Sequence, residues 1–244
     1  MIKKVTTDRA GTIEGDNIKL IDVANGCDYV NHGQVNILDP SGDLQGSFQE
    51  EDEVTVEVGV ISEGQEITDT IFTGFIESAT KESMIILKLD GKGRILRKNY
   101  YKKSYHLIDP GRIMRDILGS VSGLSYQLGS MPSGRRHTWI CPNGPLMKEI
   151  NRVNLSFDLN LVPFFNREGT LVLKTLAEAL NTTSVNFEDG TFQSFKNDIL
   201  KTELDVELKV FDQIQILSLL YIITFHRMIV SDEQSTSIIG VTKN

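Results

Sequence analysis

Four histidines are the first candidates for chemistry in this chain, because histidine is the commonest metal ligand and a frequent general base. His32, His106, His137 and His226 are scattered and show none of the HxH, HxxxH or HExxH spacings that bring two ligands together on one element. A metal site would have to be assembled from distant segments. We therefore predict no metal site and interpret these side chains as structural or solvent-facing.

Two other stretches resemble ligand-binding loops only in part. DGKGR (90–94) has a GxG pair but no third glycine, and we expect no helix after it to present its N-terminus to a pyrophosphate. QEEDE (49–53) has consecutive acids, whereas a calcium loop spaces its acids at alternate positions, so we predict a solvated turn. GxSxG and P-loop motifs are absent. The sequence predicts no catalytic residues, no cofactor and no enzymatic activity.

SGRRHTW (133–139) is the only concentrated basic and aromatic stretch. Arg135, Arg136 and Trp139 could stack on a base or contact an acidic partner surface. The alternative is a loop whose Trp139 packs under a small domain. The net charge of −8 and the pI of about 5.1 argue against general nucleic-acid binding.

Bulk features indicate an ordinary soluble globular protein, with 40% hydrophobic and 24% charged residues. No apolar segment typical of a signal peptide follows the basic N-terminus, and the longest apolar run (216–225) is about half of what a membrane-spanning helix needs. We predict that this run is a buried strand. Cys27 and Cys141 are far apart, and reduced thiols are the expected state, although a disulfide stays open.

The elements that must position any site are β-strands up to about residue 107. Val54, Val56, Val58 and Val60 alternate with polar residues, which predicts a half-buried antiparallel strand. The predicted strands are NIKLIDV (17–23), GQVNILDP (33–40), EVTVEVGVI (53–61), a hairpin of TIFTGFIESA (70–79) and MIILKLD (84–90), and GRILRKNYYKKSYHL (93–107). We assign residues 1–107 to a β-barrel-like domain.

Helical periodicity begins at residue 109. Asp109 suits an N-cap, Pro110 suits the first turn, and Gly123 is expected to end the helix. PLMKEINRVNLSF (145–157) predicts a second helix, and the following residues predict two strands around the turn NREG (166–169). We assign residues 108–180 to a small α/β insert.

Residues 181–244 return to β, with three or four strands and no sequence repeat at a fixed period. The predicted fold class is therefore mainly β with a small α+β insert. Two small antiparallel β-barrel-like domains would flank the helix-containing domain.

The order of these elements resembles phage baseplate hub proteins, the late-control-protein-D-like family of Mu-like and other contractile phages. The resemblance spans roughly residues 30–240 and is one of pattern rather than of any specific motif. Its main features are the acidic segment and valine strand (51–58), the F-x-G-x-I strand (72–76), the strand ending at Asp90 and the helix at 113–124. The chain is shorter than usual members and has Phe211 where the family has a glycine.

The resemblance implies a homotrimeric ring in which each chain contributes two similar barrels. Six barrels would then match a six-fold tail tube to a three-fold central spike. Implied partners are the chain itself, the tail tube protein, the central spike protein and other baseplate proteins, and DNA could pass through the ring without specific binding. The implied location is the virion tail, assembled in the host cytoplasm.

We predict interface contacts at Phe72, Gly74, Phe75 and Ile76 of the hairpin, and a second set at Arg135, Arg136 and Trp139. Two other classes of function stay open. A tail-associated cell-wall hydrolase would need a poised carboxylate pair, a Cys/His pair or a zinc site. A receptor- or carbohydrate-binding β module would need exposed aromatics, which make up only 7% of the chain.

Overall fold

A computed structural model describes residues 1–27, 31–44, 46–62, 65–81, 84–131 and 137–243. Its strands are β1 (Ile2–Thr7), β2 (Gly11–Glu14), β3 (Ile18–Gly26), β4 (His32–Ile37), β5 (Glu53–Ser62), β6 (Gln65–Lys81), β7 (Ile85–Gly91), β8 (Tyr100–Ile108), β9 (Tyr126–Leu128), β10 (His137–Pro145), β11 (Leu161–Phe165), β12 (Leu171–Thr175), β13 (Asn181–Phe187), β14 (Ser194–Lys196), β15 (Ile199–Glu203), β16 (Asp212–Ile216), β17 (Leu219–Ser231) and β18 (Ser235–Lys243). Its α-helices are α1 (Gly93–Lys98), α2 (Pro110–Leu118), α3 (Leu146–Ser156) and α4 (Leu176–Ala179). The fold is mainly β, as predicted.

The predicted hairpin is confirmed. β6 and β7 pair antiparallel from Gly74 opposite Gly91 to Lys81 opposite Ile85. β5 pairs with the first half of β6, and its Val54, Val56 and Val58 are buried in the core below the sheet. Val60 departs from the predicted pattern and is exposed, because β5 by then extends beyond that core.

The helix predicted at residue 109 begins as expected but ends early. The Asp109 carboxylate accepts a hydrogen bond from the Arg112 amide at 2.9 Å, and Pro110 occupies the first turn. The predicted end at Gly123 is wrong, because α2 stops at Leu118 and is capped by Gly119. Ser120 and Ser122, which follow, are weak helix formers.

The predicted strand over 93–107 is wrong in its first half. Residues 93–98 form the short helix α1, so a helix begins within DGKGR, contrary to expectation. Gly93 and Leu96, three positions apart, are the buried residues of that helix, and Leu96 belongs to the core of the middle segment. A single buried turn carries too little periodicity to be recognised in sequence.

Three large hydrophobic cores follow one another along the described chain, besides a small cluster formed by Ala179, Phe211 and Ile222. The first is formed mainly by residues 5–89, the second by residues 96–173 and the third by residues 187–241. Met228 and Val230 of β17 nevertheless pack in the first core. The domain boundaries at 107 and 180 stay a prediction.

Two of these regions are built on the same plan. In the 13-stranded sheet, one set of six strands is hydrogen-bonded in the order β3-β4-β7-β6-β5-β1, and we call it unit 1. A second set, unit 2, has the order β14-β15-β18-β17-β16-β13. One pairing differs, since β1 is antiparallel to β5 whereas β13 is parallel to β16.

Details of the backbone recur at equivalent positions in the two units. A bulge interrupts β6 between Ile76 and Ser78, and an equivalent bulge interrupts β17 between Ile223 and Phe225. Immediately before β5, the Asp52 carboxylate accepts from the Gln49 amide at 3.1 Å. At the first residue of β16, the Asp212 carboxylate accepts from the Lys209 amide at 2.7 Å. Unit 2 is therefore a structural repeat of unit 1.

The repeat gives Phe211, where the resemblance implies a glycine, an equivalent position in unit 1. Glu51 and Phe211, one residue before the two aspartates, both have a left-handed backbone, with φ of 73° and 71°. Glycine adopts that conformation at the lowest cost. Phe211 occupies it with a buried ring that packs on Phe164 at 4.7 Å between centroids.

Cys27 and Cys141 lie in the described part of the chain and are not joined by a disulfide. Among the described residues, no helix is long and apolar enough to cross a lipid bilayer.

Candidate assembly surface

The interface residues predicted on β6 are mostly inward-facing within one chain. Phe72 and Ile76 are fully buried in the first core, and Gly74 is buried between β7 and the Phe72 ring. Phe75 is half-buried and lies under the Lys92 ammonium, 4.5 Å from its ring centroid. A partner that contacts this strand would therefore meet Phe75 or the backbone.

Gly74 has a packing role that can be tested directly. An added Cβ would lie 2.4 Å from the Asp90 carbonyl oxygen and 2.8 Å from the Phe72 ring. We expect Gly74→Ala to lower the free energy of unfolding by about 1–3 kcal/mol, because β6 must move away from β7. Urea unfolding measures this, with Ser78→Ala on the same strand as control. Equal stability of the two variants would contradict the close-packing explanation.

The second predicted set is only partly within the described residues. Arg135 and Arg136 lie outside them. Trp139 is half-buried, with its ring 5.1 Å from Phe157 and 5.1 Å from the Arg152 guanidinium. Trp139 thus packs against the second core while one side of its ring is covered by a cation.

Sequence reasoning missed two exposed apolar hairpin tips. We call residues 60–67 of the β5–β6 hairpin arm 1, of which 63 and 64 lie outside the described part. Arm 2 is residues 217–220 of the β16–β17 hairpin. The exposed apolar side chains of the two arms are Val60, Ile61, Ile67, Leu217, Leu219 and Leu220. The buried strand predicted at 216–225 is therefore wrong in its first half.

The backbone of arm 2 explains why the first half of the predicted strand is an exposed turn. Leu217 and Ser218 both have positive φ, at 48° and 69°, and form a two-residue turn that normally selects Asn-Gly. A left-handed leucine costs about 1–2 kcal/mol, and here its side chain is 51% exposed. Leucine at this position is therefore unfavourable for the backbone, and half of its side chain is not buried in the core of the single chain.

Both arms extend beyond the same end of the sheet. One row of paired residues crosses both units: Glu53, Phe75, Asp90, His32, Ala24 and Arg227. Four successive antiparallel pairings separate β17 from β6, so these two strands run in the same direction. Arm 1 lies at the amino-terminal end of β6, before Phe75, and arm 2 lies at the amino-terminal end of β17, before Arg227. The two arms are therefore equivalent features of the two units.

A buried cation joins the two units to the middle segment. Arg167 comes from the NREG turn between β11 and β12, and its guanidinium donates to the carbonyls of Val206 and Leu208. It also lies 3.4 Å from the Asp69 carboxylate of β6 and 3.1 Å from Nδ1 of His226. Burial lowers the pKa of Arg167, which the negative charge of Asp69 partly opposes.

His226 is fully buried beside this cation. Burial, together with the charge of Arg167, lowers the pKa of His226 to about 3, so the imidazole is neutral at pH 7. Nδ1 lies 3.1 Å from the Arg167 guanidinium, which can only donate, and 2.9 Å from the Leu208 carbonyl, which can only accept, while Nε2 lies 2.9 Å from Ser237 Oγ.

The Ser237–His226 pair is not arranged for nucleophilic catalysis. Both side chains are fully buried. A catalytic imidazole is oriented by a carboxylate that stabilises its protonated form, whereas this one faces a cation that opposes protonation. Within the described ranges, no three His, Cys, Asp or Glu side chains converge as metal ligands.

An open cavity of about 230 Å³ adjoins the junction, lined by Asn25, Phe164, Arg167, Lys174 and His226 among others. The Asn25 amide donates to the Ile71 carbonyl at 3.0 Å. Its buried Oδ1 receives no hydrogen bond from the described residues. The cavity therefore has room for water at an acceptor that the protein leaves unpaired.

No family model and no curated protein matches the sequence. Several solved structures, however, are similar to the structure of this chain. A tail protein of the Shewanella oneidensis prophage MuSo2 aligns over 100% of this chain and 98% of its own, with a TM-score of 0.76 at 8% identity. A tail protein from Neisseria meningitidis MC58 aligns over 99% and 96%, with a TM-score of 0.70 at 9% identity.

A third similar structure is the E. coli c3393 protein, which is described as a type VI secretion component with structural similarity to the T4 tail proteins gp27 and gp5. It aligns over 98% of this chain and 76% of its own, with a TM-score of 0.67 at 8% identity. Identities this low establish a common architecture and nothing about individual residues. The chain therefore has the fold of phage tail proteins.

Proposed function

We propose that this chain is a structural hub protein of a contractile phage tail or a related tail-like particle. It would form a homotrimer that joins the six-fold tail tube to the three-fold central spike, within a baseplate of further proteins. In this proposal the chain works by geometry, and no catalytic step is involved.

The observation that carries the proposal is the repeated six-stranded unit. One chain offers two similar units, so three chains offer six, which is the number needed to face a six-fold ring while keeping a three-fold axis. The likeness to tail proteins over nearly the whole chain supports the same role. The net charge of −8 also suits a ring through which DNA passes without being held.

Mass photometry of the purified chain, alone and with candidate tube and spike proteins, tests this proposal. We expect a particle of three chains that binds at least one of the two partners. A chain that stays monomeric and binds neither would contradict the proposed role.

The arms are the surfaces that we expect partners to cover. Exposed apolar side chains at equivalent tips, one of them held by a strained turn, leave about half or more of their surface uncovered in the described part of the chain. We expect Ile61→Asp with Leu219→Asp to leave the monomer folded and to weaken co-assembly at least tenfold, because burying unpaired carboxylates in an apolar contact costs more than the 1.4 kcal/mol that corresponds to a tenfold change in affinity.

The matched control for the arm variants is Leu155→Asp on α3. Leu155 is 76% exposed, more than either arm residue, but lies outside the repeated units. If all three substitutions weakened co-assembly equally, the arms would have no special part in it.

A further inference from the structure

Charge is distributed unevenly along this chain. Residues 91–180, which contain the second core, have 14 lysines and arginines and 6 aspartates and glutamates, so this middle segment carries a net charge of +8. The remaining residues have 11 lysines and arginines and 27 aspartates and glutamates, a net charge of −16. The value of −8 for the whole chain therefore conceals a basic segment between two acidic regions. A partner that approaches the middle segment meets a field of opposite sign to the field of units 1 and 2.

Part of this positive charge is available to a partner. Lys103 and Arg152 are paired with Asp116 and Glu149, at 2.6 and 2.7 Å. Other cations of the segment are exposed and form no ion pair with any residue that the structure describes: Lys102, Arg112, Arg115 and Lys148. Of these four, Lys102 lies on a strand, β8, where its neighbours define a continuous surface.

Lys102 belongs to the outward face of the two-stranded sheet β8–β10. The inward face packs Tyr101, Tyr105 and Cys141 into the second core. The residues that alternate with them are all exposed, and we call them the ribbon face: Tyr100, Lys102, Ser104, His106, Thr138, Ile140 and Pro142. Neither strand contains an aspartate or a glutamate. The ribbon face is therefore positive and has no internal counter-charge.

The ribbon face also exposes large apolar groups. Tyr100 is 62% exposed and Ile140 is 58% exposed. Across the two strands, Lys102 lies opposite Pro142, and the next outward pair is Ser104 opposite Ile140. A cation without a partner thus lies between two exposed apolar side chains on one face. Such a surface fits a ligand that carries both carboxylates and apolar side chains.

These features favour an acidic protein segment over a nucleic acid. A long polyanion would reach from the middle segment over units 1 and 2, whose net negative charge repels it. A short acidic stretch of a protein needs to contact only the ribbon face. Ile140 and Pro142 offer apolar area that protein side chains can cover, whereas a phosphate backbone gains nothing from it.

We propose that the ribbon face binds an acidic segment of another protein. Carboxylates of that segment contact Lys102, and its apolar side chains cover Tyr100 and Ile140. The surface is separate from the two arms and lies on the middle segment, so the inference does not depend on a trimeric hub.

Two fluorescent synthetic peptides test the surface by anisotropy with the purified full chain. One consists of Glu-Glu-Leu repeats, and the other is a polyglutamate with the same number of glutamates. We expect the leucine-containing peptide to bind more tightly, because its apolar side chains cover Tyr100 and Ile140. Binding of both peptides should weaken as sodium chloride is added, because salt screens exposed charges.

Single substitutions locate the binding. Lys102→Glu should weaken both peptides about fivefold, because an attraction becomes a repulsion. Ile140→Ser should weaken the leucine-containing peptide about fivefold and leave polyglutamate unchanged. Lys88→Glu is the matched control, since Lys88 is an exposed strand lysine on β7 of unit 1, and it should bind both peptides as the wild type does. Far-ultraviolet circular dichroism checks that all three variants keep the fold.

Three results would overturn the proposal. Equal binding of the leucine-containing peptide by the wild type, Lys102→Glu and Ile140→Ser would show that the ribbon face is not the site. Tighter binding of a short DNA duplex with the same number of negative charges would assign the surface to nucleic acid. Self-association of the chain that both substitutions abolish would show that a second copy, and not another protein, covers this face.

Discussion

Replacing Arg167 with methionine should lower the free energy of unfolding by about 3–5 kcal/mol. Methionine keeps much of the volume but removes the guanidinium donors from the junction. The half-buried Val206 carbonyl would then lose its charged donor, and the buried Leu208 carbonyl and His226 Nδ1 would keep only their 2.9 Å contact with each other. Each unsatisfied buried acceptor costs about 1–3 kcal/mol, and the loss exceeds the gain from no longer burying a charge.

Arg227→Met is the matched control for this experiment. Arg227 also pairs with an aspartate, but its side chain is 43% exposed and that of Asp22 is 24% exposed. Solvent-screened pairs of this kind contribute at most about 1 kcal/mol. If the two methionine variants unfolded at the same urea concentration, the buried guanidinium would stabilise the fold no more than the exposed one does.

Arg167 should also couple the parts of the chain to each other. Its contacts reach unit 1 through Asp69 and unit 2 through Leu208 and His226, while its own turn belongs to the middle segment. Trp139 is the only tryptophan and packs in the second core, so its fluorescence reports on that segment. Fluorescence and far-ultraviolet circular dichroism should follow one transition in the wild type and two in Arg167→Met.

Much of the fold could be predicted because its signals are local. Val54, Val56 and Val58 alternate at the period of a strand with one buried face. Asp109 and Pro110 have the side chains that a helix start needs, and the structure uses both. The mainly β class and the order of β5, β6 and β7 follow from such patterns without knowledge of long-range contacts.

What could not be predicted depends on distant residues. The repeat is hidden in the sequence because equivalent positions are alike in burial and not in residue type. Val35 pairs with Leu87 in unit 1, and the equivalent pair in unit 2 is Leu200 with Ile239; all four residues are fully buried. The resemblance of an acid followed by alternating apolar residues, in EDEVTVEV and FDQIQI, was the available signal. The arms were missed because exposure of an apolar run is set by where the core ends.

The interface predictions show the same limit. An F-x-G-x-I strand can be recognised in sequence, but Gly74 is required by the approach of Asp90 and the Phe72 ring, which no local pattern reveals. Contact of these residues with another chain stays a prediction. The partner-facing candidates that the structure adds are apolar residues at turns, where sequence rules anticipate polar ones.

Mild acid should destabilise this protein through His226. The pKa of the imidazole is about 3 in the folded chain, below its ordinary value near 6.5, because burial and Arg167 oppose its protonation. Between these two values the unfolded state binds a proton that the folded state does not. The contribution of His226 is therefore complete above pH 6.5 and is lost at about 1.4 kcal/mol per pH unit as the pH falls towards 3.

His226→Asn isolates this contribution from that of the carboxylates. The asparagine Oδ1 can accept from Arg167 in place of Nδ1 but does not titrate. We expect a less stable protein whose free energy of unfolding, measured in urea between pH 6.5 and 4.5, falls less steeply than that of the wild type. Ile239→Val, which weakens the buried core of unit 2 without altering a titrating group, should keep the wild-type slope. A wild-type slope in His226→Asn would mean that the imidazole is already protonated at the junction, contrary to the lowered pKa that burial and the charge of Arg167 give it.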